Sequence, residues 1–291
     1  MITFRYHLVS VAAILLALAA GIALGSGPLD DAGDTLRGSA QSGTADPAVV
    51  SFEDGFADRT AEGLLKDALK GQSVVVLTVP GASQAEVGDI TADLQLAGAE
   101  VTGQVELSGK LLDPAGRQFA EGVAQQSAAD VPGVTEATDS YGRIGAALGR
   151  AYLADETAEA DTAAATIRSA FTEGDLVSTT TDPAKVATLA VLVTGQQRAG
   201  TDDRSTVIAA LAGALNDTGK GVVVAGPASS STEGGAVRAV RDSAFATSVS
   251  TVDVTDTASG RIVTVLAAAA QVGGQPGEWG TSRSTGGALP R

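Results

Sequence analysis

Residues Leu8–Gly25 read LVSVAAILLALAAGIALG, an apolar run with no charged side chain. As a helix it spans about 27 Å at ~1.5 Å per residue, close to the hydrocarbon thickness of a bilayer. The competing reading is a cleaved signal peptide, with Ala17-Leu18-Ala19 as its cleavage motif. Signal peptides usually carry an apolar stretch of only about 7–15 residues, so residues 1–26 are expected to be a cytoplasmic tip and an uncleaved transmembrane helix. Arg5 precedes the run, no Lys or Arg follows until Arg37, and Asp30, Asp31 and Asp34 lie just beyond. The positive-inside rule then places the N-terminus in the cytoplasm and the rest of the chain outside, as a single-pass protein of the cell membrane.

Ala13, Ala17, Gly21 and Gly25 recur every four residues and form one small-residue ridge along this helix. Such a ridge admits the close approach of another membrane helix, although Ala-rich segments also produce the spacing by chance. His7, at the cytoplasmic edge, reads as an interfacial residue rather than a metal ligand.

Composition narrows the chemistry. The 291-residue chain has 19 Lys and Arg against 34 Asp and Glu, a formal charge of −15. That balance argues against nucleic acid as a partner. There is no Cys, one His (His7) and one Met (Met1). Thiolate metal sites, cysteine nucleophiles and a Ser-His-Asp triad beyond residue 7 are thereby excluded. Aromatic residues are only 3%, so any core must be built from Ala, Val, Leu and Ile.

Residues 27–55, rich in Gly, Ser, Asp, Thr and Ala and lacking helical periodicity, read as a flexible linker. Regular patterning begins near Arg59, with Leu64, Leu65, Ala68 and Leu69 on one helical face and Gly71 as a stop. Ser73–Val79 is a continuous apolar run, as in a strand buried on both faces. Ser83-Gln84-Ala85-Glu86 has the form of a capping box before a stripe of Val87, Ile90, Leu94 and Ala97. Glu100–Glu106 alternates as a further strand, giving βαβ spacing.

From Ala115 to Phe171 the pattern is helical in at least three pieces, broken at Val131-Pro132-Gly133 and at the Asp155–Asp161 patch. Val186–Thr194 and Val222–Ala225 read as strands, and Val207, Ile208, Leu211 and Leu215 as a helix face between them. Ser230-Ser231-Thr232-Glu233 has the capping-box form again, Arg261–Leu266 is a final strand candidate, and residues 273–291 read as a disordered tail. The expected architecture for 56–272 is therefore an extracytoplasmic, Rossmann-like, doubly wound α/β domain with one sheet shared by both halves.

No catalytic motif is complete. The turn Val79–Ser83 has one Gly where a dinucleotide loop needs three. Ser229–Ser231 reads as capping hydroxyls in a solvated turn more readily than as an anion site. Asp217-Thr218-Gly219-Lys220 resembles fragments of an aspartic-protease triplet and of a P-loop, but ends a helix and fits neither. Asp202-Asp203 and the Asp155–Asp161 cluster lack the fixed spacing of a calcium loop. The chain is expected not to be an enzyme and to carry no catalytic, cofactor-binding or metal-binding residues.

Several segments resemble one family. Ile2–Ser10 running into Leu16–Gly27 is similar to the start of the mycobacterial copper-transport protein B family of actinobacterial envelope proteins. Gly71–Val76 resembles its first strand. Ser250–Asp253 with Gly260–Leu266, and Gly277-Glu278-Trp279-Gly280-Thr281, resemble its C-terminal stretches. The resemblance implies an envelope protein associated with copper homeostasis or transport. Some relatives are linked instead to cell-wall and division complexes, which implies an exported scaffold binding an envelope or division partner.

Copper enters only through this resemblance. Cu(I) favours Met, Cys or His donors, and none follows His7. One membrane helix cannot enclose a pore, so transport would require a homo-oligomer or an envelope protein partner. Protease treatment of intact cells, with a mass measurement of the N-terminus, checks the topology. The expected result is a digested bulk and an N-terminus retained ahead of residue 19.

Overall fold

The computed structural model describes residues 46–290 apart from 138, 198–201 and 283–284. The chain separates into units 1–50 and 51–291, and the fold is that of the second. The apolar run and the ridge Ala13, Ala17, Gly21 and Gly25 lie outside the described residues, as do Arg5 and His7. Among the described residues, no helix is long and apolar enough to cross a membrane.

Helix α1 (Pro47–Leu65) starts earlier than its composition suggests. Asp46 Oδ1 accepts the Ala48 amide at 2.9 Å, and Pro47 occupies the first turn, where its missing N–H costs nothing. Residues 47–55, expected in the linker, are therefore helical. Strand β1 (Ser73–Thr78), helix α2 (Gln84–Leu96) and strand β2 (Glu100–Leu107) follow as the pattern predicts. Ser83 caps α2 through its hydroxyl.

The helical middle comprises α3 (Gly109–Leu112), α4 (Arg117–Ser127), α5 (Pro132–Glu136), α6 (Ser140–Tyr152) and, after the two-residue β3 (Ala158–Glu159), α7 (Thr162–Glu173). The acidic patch before α7 has a structural use. Asp161 Oδ1 accepts the Ala164 amide at 2.9 Å as the helix cap, and Asp161 also pairs with Arg150. Strand β4 (Val177–Thr181) follows. The expected strand 186–194 divides into β5 (Lys185–Val186) and β6 (Leu189–Val193). The break falls at Thr188, which bonds to Ser73 through both its amide and its hydroxyl.

Helix α8 (Asp202–Asn216) and strand β7 (Val222–Ala225) come next, so Asp217–Lys220 ends a helix. The second capping box does not form. Ser230, Ser231 and Thr232 turn their hydroxyls back onto the carbonyls of Pro227, Ala228 and Ser229, and α9 (Ala236–Arg241) begins only after Gly235.

The largest revision concerns the C-terminus. Strand β8 (Ser250–Val252) is followed by α10 (Ala258–Val272), which contains the segment 261–266 expected as a strand. Its β-branched residues open an apolar stretch that continues through four alanines, too long for a strand and rich in the best helix formers. Ala258, Ile262, Val265 and Ala268 are buried at helical spacing, and Thr257 caps the helix through the Gly260 amide at 3.0 Å. The described part of the tail, expected to be disordered, is structured as well. Glu278–Trp279 forms β9, paired parallel with β8.

The seven-stranded sheet has the order β4-β2-β1-β6-β7-β8-β9. All neighbours are parallel except β4, which runs antiparallel to β2 on one edge. β1, β6 and β7 are buried on both faces. Alternate residues of β1 serve two cores. Val75 and Leu77 pack with Ile144, Leu148, Phe171, Leu211 and Val237, beneath α4–α9. Val74 and Val76 pack with Leu65, Ile90, Leu94, Ile262 and Val265, beneath α1, α2 and α10. The result is a mixed α/β domain with a largely parallel sheet and helices on both faces.

One titratable group works against this packing. Asp93, on α2, is partly buried, and its carboxyl is pushed up to about 6. Burial is the main cause; Arg261 opposes it, and Asp58 and Asp89 reinforce it. A carboxyl raised above its ordinary 3.8 favours the folded state only while protonated, so its contribution is lost as pH rises through about 6. Asp93→Asn should raise stability at pH 7.5 by about 1–2 kcal/mol after allowance for solvent screening. Urea unfolding between pH 4 and 7.5 would check it: the gain should vanish near pH 4.

Candidate functional site

In an open parallel sheet, ligands bind beyond the carboxyl ends of the strands, where the strand order reverses. Here chain order runs outward from β1 to β2 on one side and from β6 to β9 on the other. The reversal therefore falls between β1 and β6, paired from Val74↔Leu189 to Thr78↔Val193. Two loops leave the sheet at this point, Val79–Ser83 toward α2 and Thr194–Gln197 toward α8.

These loops touch. Gly81 has φ +95°, and a side chain at Gly195 would strike the Gly81 carbonyl. Between and beside them lies a cavity of about 150 Å³, bounded by Val79, Leu112, Ile208 and Ala236 on its apolar side and by Gln196, Gln197 and Arg204 on its polar side. Arg204 is held by Asp113 at 3.3 Å. The Ala115 amide, and then Arg204, keep the Asp113 carboxyl below its ordinary range. In a separate pocket that shares Gly81, Thr194 and Gly195, Glu86 accepts a hydrogen bond from the Thr255 hydroxyl at 2.8 Å. Ser229, expected as a capping hydroxyl, accepts the Gln197 amide at 3.3 Å. The polar wall of the crevice is thus made of two side-chain amides and a guanidinium.

A second constellation joins the two C-terminal segments named above. Arg241, at the end of α9, is buried. Its guanidinium donates to Asp253 Oδ2 at 2.5 Å, to Thr251 Oγ1 at 2.9 Å, to Ser282 Oγ at 2.6 Å and to the Trp279 carbonyl at 3.1 Å. Asp253 Oδ1 accepts the Thr281 amide at 2.7 Å. Burial alone would raise the Asp253 carboxyl, but Arg241, the Thr281 amide and Ser282 outweigh it and hold it below the usual carboxylate range. Gly280 has φ +127°, and a side chain there would collide with Asp253. The Gly-Glu-Trp-Gly-Thr segment is thereby explained: it threads a backbone past a buried ion pair. Sequence reasoning missed Arg241, because a lone Arg in a short helix carries no pattern. The signal available was the unspent Asp253 after a buried strand.

Among the described residues, no group of three or more His, Cys, Asp or Glu side chains is placed to hold a metal ion. Their donors are oxygen and nitrogen only, since the single His and single Met precede residue 8. This donor set does not fit Cu(I).

Comparison with known proteins adds the family. The family described as "Copper transport outer membrane protein, MctB" matches residues 1–290. Proteins named "Copper transporter MctB" from Mycobacterium bovis and Mycobacterium tuberculosis are 30% identical over 310 residues, covering 97% of this chain and 96% of the relative. The Mycobacterium leprae protein of that name is 30% identical over 310 residues, covering 96% of each.

Removing one member of a buried ion pair leaves an uncompensated charge, at a cost of about 3–5 kcal/mol. Arg241→Met should lose stability of that order in urea and free residues 278–290 for proteolysis. An Arg241→Met, Asp253→Leu double variant should lose less.

Proposed function

The chain belongs to the MctB family of copper transport outer membrane proteins, and from that premise we propose that it is a membrane-anchored envelope protein acting in copper homeostasis or transport. In this reading Leu8–Gly25 is the single membrane span, the N-terminus is cytoplasmic and the α/β domain is extracytoplasmic. The domain's role is non-catalytic.

The observation that carries this division of labour is the donor chemistry. Cu(I) favours thiolate, thioether and imidazole donors, and the chain has none beyond His7. The surplus of carboxylates attracts cations generally without selecting among them. The domain therefore serves copper handling through a second protein or a second copy that supplies the conduit. A related reading is an exported scaffold that binds an envelope or cell-division partner. Phe52, Phe56 and Leu64, exposed on α1, favour it, since such side chains gather at contact surfaces.

Deleting the gene and measuring cellular copper and copper tolerance tests the first reading. Copper content should rise in the deletion strain and return when the full chain is restored. Copper titration of the purified chain should show no tight site that survives replacement of His7 and Met1. Unchanged copper content and tolerance would remove the copper role and leave the scaffold reading.

A further inference from the structure

Two pockets flank the contact between the Gly81 and Gly195 loops. One, of about 150 Å³, lies on the α8 side, and the other, of about 220 Å³, lies on the α2 side. They share Gly81, Thr194, Gly195 and Gln196. The saddle between them is bare backbone, since both loops place a glycine there and a side chain at Gly195 would strike the Gly81 carbonyl.

Among the described residues, each pocket is lined by one charged side chain, and the signs are opposite. Arg204 lines the first and Glu86 the second. Both are partly buried. Arg204 stands in the first turn of α8, where the helix dipole disfavours a cation, so the helix does not account for it. Glu86 closes the Ser-x-x-Glu pattern of a capping box, yet its carboxylate turns to the Thr255 hydroxyl at 2.8 Å. Asp113 engages one terminal nitrogen of Arg204 at 3.3 Å. A guanidinium has more donors, and a carboxylate more lone pairs, than one such partner uses. Each charged group is therefore anchored and still has capacity for another partner.

This pairing of signs selects a ligand. A phosphate on Arg204 would extend toward the Glu86 carboxylate, and a metal ion would gain a single carboxylate from these walls. A molecule with an amine at one end and a carboxylate at the other suits both. Helix α2 packs over one core through Val87 and Ile90, and α8 over the other through Ile208 and Leu211. Glu86 and Arg204 thus rise from opposite faces of the sheet. The two charges of a single amino acid lie only about 3 Å apart, whereas an extended chain of two or three residues spans about 7–10 Å. Gln196 lines both pockets and carries an amide suited to peptide groups lying across the saddle. Val79, Leu112, Ile208 and Ala236 wall the first pocket, an apolar lining for a small aliphatic side chain.

We propose that this crevice binds a short peptide with free ends, its amine on Glu86 and its carboxylate on Arg204. The proposal goes beyond the copper reading and does not depend on it.

Titration calorimetry of the full chain in detergent at pH 7, with trialanine as the probe, tests it. Trialanine should bind with a Kd of roughly 1 mM or below. Acetylating its amine or amidating its carboxylate should each weaken binding about tenfold or more, the worth of a charged hydrogen bond. Two variants assign the ends. On Glu86→Gln, free and acetylated trialanine should bind alike, while the amidated peptide stays weaker. On Arg204→Gln, free and amidated trialanine should bind alike, while the acetylated peptide stays weaker. Each comparison is made within one protein, so a change in fold stability does not imitate the result. Three results would overturn the proposal: no saturable binding of trialanine, end-blocked peptides binding the parent chain as well as the free one, or variants that lose affinity equally for free and blocked peptides. A strain whose copper content is unchanged by deletion removes the copper role and leaves this site standing.

Discussion

Everything in this domain hangs on the parallel pairing of β1 with β6, two segments more than a hundred residues apart. Both strands are buried on both faces, so their backbone groups have only each other and the flanking strands as partners. Their side chains must be apolar on either side. With few aromatic residues available, the strands use Val, Leu and Ala. These are small enough for helices to pack closely on both faces, and the two cores follow. The point where strand order reverses, and hence the crevice between the Gly81 and Gly195 loops, is set by the same pairing. The long separation also means that much loop entropy is lost before these strands meet, which makes such folds slow to form.

Much of this arrangement was legible in the chain because burial on both faces leaves a strong trace. Ser73–Val79 and Val222–Ala225 announced themselves as strands by continuous apolarity, and Val87, Ile90, Leu94 and Ala97 as a helix by spacing. Two departures have different causes. The β-branched residues of Arg261–Leu266 favour a strand on their own, and the alanines that follow turn the balance to a helix. The composition of 273–291 suggests disorder, because it does not show the buried ion pair that binds Trp279, Thr281 and Ser282. Only in the second place does a contact distant in sequence override a local preference. β4 was invisible because an edge strand of Ser and Thr has no apolar alternation to show.

The site was legible only in part. That no soft metal donor follows His7 is a fact of sequence and needs no coordinates. The crevice at the β1/β6 reversal, in contrast, is made of loop backbone and a few amides, and follows only from strand order. Arg241 is more instructive still. Its partners Thr251, Asp253, Trp279 and Ser282 come from two segments with the long α10 between them, so neither segment alone shows what it is for. Family likeness marked both segments, and the geometry supplied the reason: one backbone must pass close to Asp253, and only glycine at position 280 allows it.

The place of Trp279 bears on how this edge of the domain opens. Arg241 donates to the Trp279 carbonyl and the Ser282 hydroxyl, and Asp253 accepts from the Thr281 amide. If the two-residue strand frays, a buried charge pair loses those partners, which costs far more than so short a ladder would by itself. The rim of the sheet beside β8 is thereby held shut by an ion pair rather than by strand length.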